Sequence, residues 1–166
     1  MKTIKKNLVP TDFSELWFAA LEYAESLVAI YDAKIYFLHV VDNEPTLANV
    51  MVDLNSETIL RNVEENATGE LLRIMYERVN NGENVIPFVC RGNAFKEIVK
   101  FSEEKNIDII VMATHGLTGL AHVLLGSVTE KVVRHSSIPV LTIKPEARKK
   151  KFSNKEYVEE QLHFIS

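Results

Sequence analysis

The chain carries a single cysteine, Cys90, in 166 residues. No internal disulfide can form, and no metal site built from several cysteines is available. No run approaches the roughly 20 apolar residues that a membrane-spanning helix needs, so no membrane partner is expected. The N-terminal stretch MKTIKKNLVPTDFS has lysines but no apolar segment of signal-peptide length, which points to a cytoplasmic protein. Neither sign of charge dominates. Nineteen Lys and Arg stand against 23 Asp and Glu, and the net of −4 offers no general attraction to nucleic acid. The one basic run, Arg148 to Lys151, lies in the C-terminal tail. Four familiar chemical signatures are also missing: the P-loop GxxxxGKS/T, a GxGxxG after the first strand, HExxH and GxSxG.

What is present suits one globular domain. The apolar fraction is 46% and the charged fraction 25%, both ordinary for a packed core. Cys90 stands in the apolar run VIPFVC and reads as a buried structural thiol.

Apolar runs of strand length alternate with helical patterns, the mark of stacked βαβ units. The first run is Ile4 to Val9, ending at Pro10. Thr11 to Ser14 forms a turn, with Ser14 as a helix cap, and Leu16, Ala19, Ala20, Ala24, Leu27 and Val28 follow at helical spacing to about Tyr31. Lys34 to Val41 is nearly all apolar, as expected of a strand covered on both faces. A polar connection, Asp42 to Asn55, contains Pro45 and leads into a long amphipathic helix from about Ser56 to Val79, ended by Asn80-Asn81-Gly82.

A third strand, Val85 to Cys90, contains Pro87, which predicts an edge position or a bulge. Gly92-Asn93 leads into a short helix bearing Phe95, Ile98, Val99 and Phe101. A fourth strand runs from Ile107 to Ala113. After the loop Thr114 to Leu125, Ser127-Val128-Thr129-Glu130 fits a capping box, and a fifth strand spans Pro139 to Ile143. Five strands and four helices in strict alternation give an open parallel sheet, doubly wound, with helices on both faces. This domain occupies 1–145. The extension 146–166 carries a second capping box, Ser153 to Glu156, and a short terminal helix.

Ligands of such sheets bind beyond the carboxyl ends of the strands, where strand order reverses. The segments that lie there are Pro10-Thr11-Asp12, Val40-Val41-Asp42, and Ala113 to Ser127. In the last, Gly126-Ser127 opens a helix. Its first amides and positive dipole end suit phosphate, and a glycine lets phosphate reach the backbone. Gly126-Ser127 could equally do no more than start a helix. Asp12 fits either a turn or a ligand contact, and Thr114 and Thr118 fit either phosphate binding or loop satisfaction. His39 reads as a hydrogen-bonded core or cleft residue, and His122 and His135 as surface residues. His115 reads as a solvent-facing loop residue, with a phosphate or proton-transfer role as its functional alternative. No activated nucleophile or general base emerges and no lysine lies between Thr114 and Ser127, so no catalytic residue is assigned.

VMATHGLTGLAHVLLGSVTEKVVRHSSIPVLTIKP closely resembles the C-terminal segment of the universal stress protein family. LVPTDFSELWFAALEYA, FLHVVD and RGNAFKEIVKFSEEKNIDIIVM resemble its earlier segments, in the right order, so that the resemblance spans Lys5 to Pro145. It implies a Rossmann-like sheet of strand order 3-2-1-4-5 and a homodimer paired through the last strand, Val140 to Ile143. The family's nucleotide pattern G-x2-G-x9-G-S/T would fall on Ala113, Gly116, Gly126 and Ser127, with Ala113 departing from the first glycine.

By the same resemblance, adenine would sit near Val40, against Pro10 and Met112, with Thr11 and Asp12 facing the nucleoside. His115, Gly116, Gly126, Ser127 and Val128 would surround the phosphates. The expected ligand is ATP or AMP, with Mg2+ or Mn2+ held by the phosphates and no metal site of the protein's own. The expected role is a stress-response sensor or switch. Two other readings stay open: a dimeric protein-interaction module without nucleotide, and a slow ATPase or phosphotransferase.

Overall fold

The computed structural model describes residues 3–42, 57–79, 84–114 and 126–144, with side chains described from Arg61 onward in the second helix. Among the described residues, five strands and four helices alternate. They are β1 (Lys6–Thr11), α1 (Phe18–Tyr31), β2 (Lys34–Val41), α2 (Glu57–Arg78), β3 (Val85–Arg91), α3 (Ala94–Glu104), β4 (Ile109–Ala113), α4 (Ser127–His135) and β5 (Val140–Ile143). The sheet is parallel throughout, in the order β3-β2-β1-β4-β5. The expected doubly wound α/β fold is therefore what forms. Pro87 lies on an edge strand, where a missing N–H is tolerated.

Strand side chains alternate between faces, and each face has its own core. Val9, Ile35, Phe37 and Val111 point toward α1 and α2 and pack with Trp17, Ala20, Leu21, Ala24, Leu71 and Ile74. Leu8, Leu38, Ile110 and Met112 point the other way and pack with Ile98 and Val132, from α3 and α4. Burying each large side chain contributes about 1.5–3 kcal/mol, which is why the inner strands read as nearly unbroken apolar runs. At the amino end, the Asp108 carboxylate accepts the backbone N–H groups of Lys5 (2.8 Å) and Lys6 (3.0 Å), tying β1 to the start of β4.

Several boundaries differ from the sequence reading, for identifiable reasons. The first strand runs through Pro10 to Thr11. This is possible because β1 pairs with β4 only at Asn7–Ile109 and Leu8–Ile110, so Pro10 has no β4 partner to disappoint. α1 begins at Phe18 behind Trp17, and Ser14 does not cap it. Instead the Thr11 hydroxyl oxygen accepts the Phe13 N–H, and Asp12 Oδ1 accepts the Ser14 N–H, each at 3.0 Å. These bonds make a turn where a helix start was expected.

At α4 the cap position belongs to Gly126 and no side chain bonds there, so Ser127 is the first helical residue and not the head of a capping box. Asn93 does cap α3, its side chain accepting from the Lys96 N–H. Gly92 before it has φ +145°, and a Cβ there would lie 2.7 Å from Glu97 Cγ, so this position demands glycine. The terminal helix after Ser153, the Pro45 connection and the Asn80-Asn81-Gly82 stop lie outside the described residues.

Candidate functional site

The sheet opens between β1 and β4. Their ladder ends at Leu8–Ile110, yet β1 stays paired with β2 as far as Thr11–His39, and β4 stays paired with β5 as far as Ala113–Ile143. The two central strands each continue for three residues without facing a hydrogen-bonding partner in the other. A crevice at the carboxyl end is the result, at the one place where the strand order reverses.

Pro10 and Met112 enter this crevice region from its two sides, on the face shared with α3 and α4, and Val40 lies on that same face of β2. Pro10, Thr11, Met112, Ala113 and Thr114 are buried, while Asp12 and Val40 are half-buried. The fold thus brings Pro10, Thr11, Asp12, Val40, Met112 and Ala113 to one end of the sheet. Gly126, Ser127 and Val128 stand at the start of α4 beside it. His115 and Gly116, with Thr118 and His122, lie outside the described residues.

The two feet of the 115–125 segment are joined. The Gly126 N–H donates to the Thr114 carbonyl at 2.5 Å, and the Thr114 N–H donates to Ile143 O at 2.8 Å. One turn into α4, the buried Thr129 hydroxyl donates to the Ala113 carbonyl at 3.0 Å. Sequence reasoning missed Thr129 as the fastener. Its only signal was a threonine on the apolar side of the helix.

These bonds also narrow the expectation for the helix start. Gly126's own amide is taken, so the donors left at the first turn are the N–H groups of Ser127, Val128 and Thr129, which meet no acceptor among the described residues. Gly126 itself has φ −62° and ψ 150°, a conformation any residue adopts. Glycine there answers no backbone demand; what it supplies is the missing side chain in front of those amides.

The Thr11–Ser14 loop is locked from β2. The His39 Nδ1–H donates to the Thr11 carbonyl at 2.9 Å, which fixes the neutral ring as the Nδ1–H tautomer. The ring also stacks on Phe13, centroids 4.1 Å apart. Burial holds the His39 pKa below its ordinary value, opposed by the bond to Thr11 and by the Asp12 charge. Phe13 has φ 61°, a left-handed backbone that a bulky side chain rarely adopts.

At the far side of the same end, Arg91 makes a two-pronged pair with Glu64 of α2, Nε–Oε1 at 2.5 Å and Nη2–Oε2 at 2.7 Å. Cys90 beside it is half-buried. Desolvation first, then the Glu97 charge, pushes its thiol up to about 11, so it stays protonated and inert at neutral pH.

This crevice-and-helix arrangement can be set beside known proteins. A model of the universal stress protein family matches residues 3–144. The chain belongs to the universal stress protein family. Two universal stress proteins of Methanocaldococcus jannaschii illustrate the kinship. MJ0531 is 34% identical over 140 residues, covering 84% of this chain and 82% of its own. MJ0577 is 35% identical over 153 residues, covering 84% and 94%. The solved structure of MJ0577 superposes with a TM-score of 0.75 at 33% identity, covering 86% of this chain and 97% of that one. A universal stress protein solved in complex with cAMP shares the fold, with a TM-score of 0.60 at 20% identity over 87% of this chain and 99% of its own. Among the described residues of this universal stress protein, no helix is long and apolar enough to cross a membrane.

Proposed function

We propose that this universal stress protein binds an adenine nucleotide, ATP or AMP, in the crevice between β1 and β4. The observation that carries the reading is at the head of α4. Three amides without an acceptor among the described residues stand behind a glycine whose backbone does not require glycine. An anion is what such a helix start attracts, and Pro10, Val40 and Met112 on the same face of the sheet beside it offer the apolar surface a purine needs.

Adenine lies against Pro10, Val40 and Met112 and bonds the backbone of Val40. Thr11 and Asp12 face the sugar. Gly126, Ser127 and Val128 take the phosphates, joined by His115 and Gly116 of the intervening segment. The methyl of Ala113, where the nucleotide-binding pattern has glycine, sits at the end of an extended strand and projects with the β4 pleat. That a universal stress protein of this fold has been captured with cAMP supports an adenine nucleotide as the ligand class.

In this reading Mg2+ or Mn2+ is carried by the nucleotide's phosphates, and the chain's own part is to bind and orient. Occupancy of the crevice and of the α4 start turns nucleotide level into a surface that differs between free and bound states, as a sensor requires. A homodimer paired through Val140 to Ile143 is the assembly we propose for it, because β5 is an open apolar edge.

The test is direct. Purified protein is denatured, released small molecules are separated by chromatography, and thermal shifts are measured with ATP, ADP and AMP. Co-purified adenine nucleotide or a clear upward shift is expected. Empty protein with no shift at millimolar nucleotide removes the proposal.

A further inference from the structure

The loop that follows β1 is held in a conformation its own sequence disfavours. Phe13 is a bulky residue in left-handed backbone at φ 61°, whereas the other two non-glycine positions with positive φ among the described residues are Asp32 and Asn106, residue types that tolerate it. Such strain persists only where the surroundings over-determine it, and it gathers at working sites.

Here the surroundings are specific. Two bonds are local, Thr11 Oγ1 to the Phe13 N–H and Asp12 Oδ1 to the Ser14 N–H. The other two restraints come from one side chain on another strand. His39 donates its Nδ1–H to the Thr11 carbonyl and lays its ring, 22° from parallel, against the Phe13 ring. The Thr11 carbonyl is the last of β1, beyond the end of the β4 ladder, so the histidine completes the strand where the sheet no longer does.

We infer that His39 is a positioning residue for the nucleoside end of the pocket: its Nδ1–H bond to the Thr11 carbonyl holds the Thr11-Asp12-Phe13 turn in the binding conformation before any ligand arrives. This inference rests on the adenine-nucleotide reading and extends it. A turn ordered in advance costs the ligand nothing to order, so the device acts on affinity. It acts at the sugar and base, away from the phosphates, so its loss weakens adenosine, AMP and ATP by the same factor. A lost phosphate contact would spare adenosine.

Two matched substitutions test this. In His39→Asn the amide nitrogen can occupy the Nδ1 position and keep the bond to Thr11. In His39→Gln the same amide is one methylene too far and falls where Nε2 was. Binding of adenosine, AMP and ATP is measured by calorimetry on the full-length protein and both variants, with melting temperatures alongside. His39→Gln is expected to bind all three ligands about tenfold more weakly, the effect of one lost positioning hydrogen bond. His39→Asn should stay within about threefold of the parent, and the two variants should melt within a few degrees of each other.

Equal binding by parent and His39→Gln overturns the positioning role while leaving the nucleotide reading intact. Equal weakness of the two variants, or a loss confined to AMP and ATP, overturns it as well. Absence of binding by the parent protein itself removes the nucleotide reading, and the positioning role with it.

Discussion

Replacing Asn7 by leucine should make this protein more stable. Asn7 lies on the central strand β1, paired with Ile35 on one side and Ile109 on the other, and is 0% exposed. Its amide nitrogen and oxygen both lack a hydrogen-bonding partner among the described residues. Folding strips water from both atoms, and a buried polar group without a partner costs about 1–3 kcal/mol. Leucine has the same number of side-chain heavy atoms and the same branch point, so it fills nearly the same space.

Removing the unmet groups and adding apolar contacts, less some strain from the tetrahedral branch, gives a net gain of about 2 kcal/mol. For a chain of this size that corresponds to a rise in melting temperature of roughly 4–8 °C. The chain has one tryptophan, Trp17, and it is buried in the core against the same face of the sheet, so its fluorescence reports unfolding directly. Urea titration of Asn7→Leu should move the midpoint upward at unchanged slope. A midpoint that falls at unchanged slope would show that the amide is satisfied in solution, and the reasoning would be wrong.

Gly126→Val should leave the fold standing, since φ −62° and ψ 150° suit valine, but place two methyl groups before the first-turn amides; calorimetry should show at least a tenfold loss of ATP affinity. Because burial lowers the folded-state pKa of His39, the unfolded chain binds the extra proton first. The stability due to neutral His39 is complete above about pH 6.5 and is lost as pH falls below it. Denaturation at a series of pH values should show that decline, and His39→Asn should flatten it. With its thiol at about 11, Cys90 should react with iodoacetamide at pH 7.5 roughly a hundred times more slowly than a free cysteine, as mass spectrometry of the alkylated protein would show.

Sequence reasoning reached the sheet because its signals are local and repeated. Val9, Phe37 and Val111 alternate with Leu8, Leu38 and Ile110 in a way only a strand buried on two faces requires. Pro87 announced its edge for the same kind of reason, a missing donor that a strand paired on both sides at that residue does not tolerate. The errors fell where distant parts of the chain decide. Ser14 looked like a cap, but the turn before it is set by His39 from β2, and α1 waits until Phe18. Ser127 looked like a cap, but Gly126 takes that position once Thr114 and Thr129 have fastened the helix to the end of β4. Pro10 looked like a strand end because nothing local reveals that β4 departs from β1 two residues earlier. In the candidate site, the glycine at the head of α4 was legible; the histidine beneath the turn was visible only as one polar letter in an apolar strand.

The stitching between Ala113-Thr114 and the first turn of α4 has an evolutionary side. The fasteners are three backbone groups and one threonine hydroxyl, and none of them belongs to the residues numbered 115–125. The closure of the sheet's end against α4 is therefore written into residues on either side of that span. Lengthening a closed loop carries an entropic cost of only about 0.6 kcal/mol per doubling, so a change of length there leaves the fastening groups in place. A scaffold hemmed in this way can take up such changes by small genetic steps while keeping its architecture.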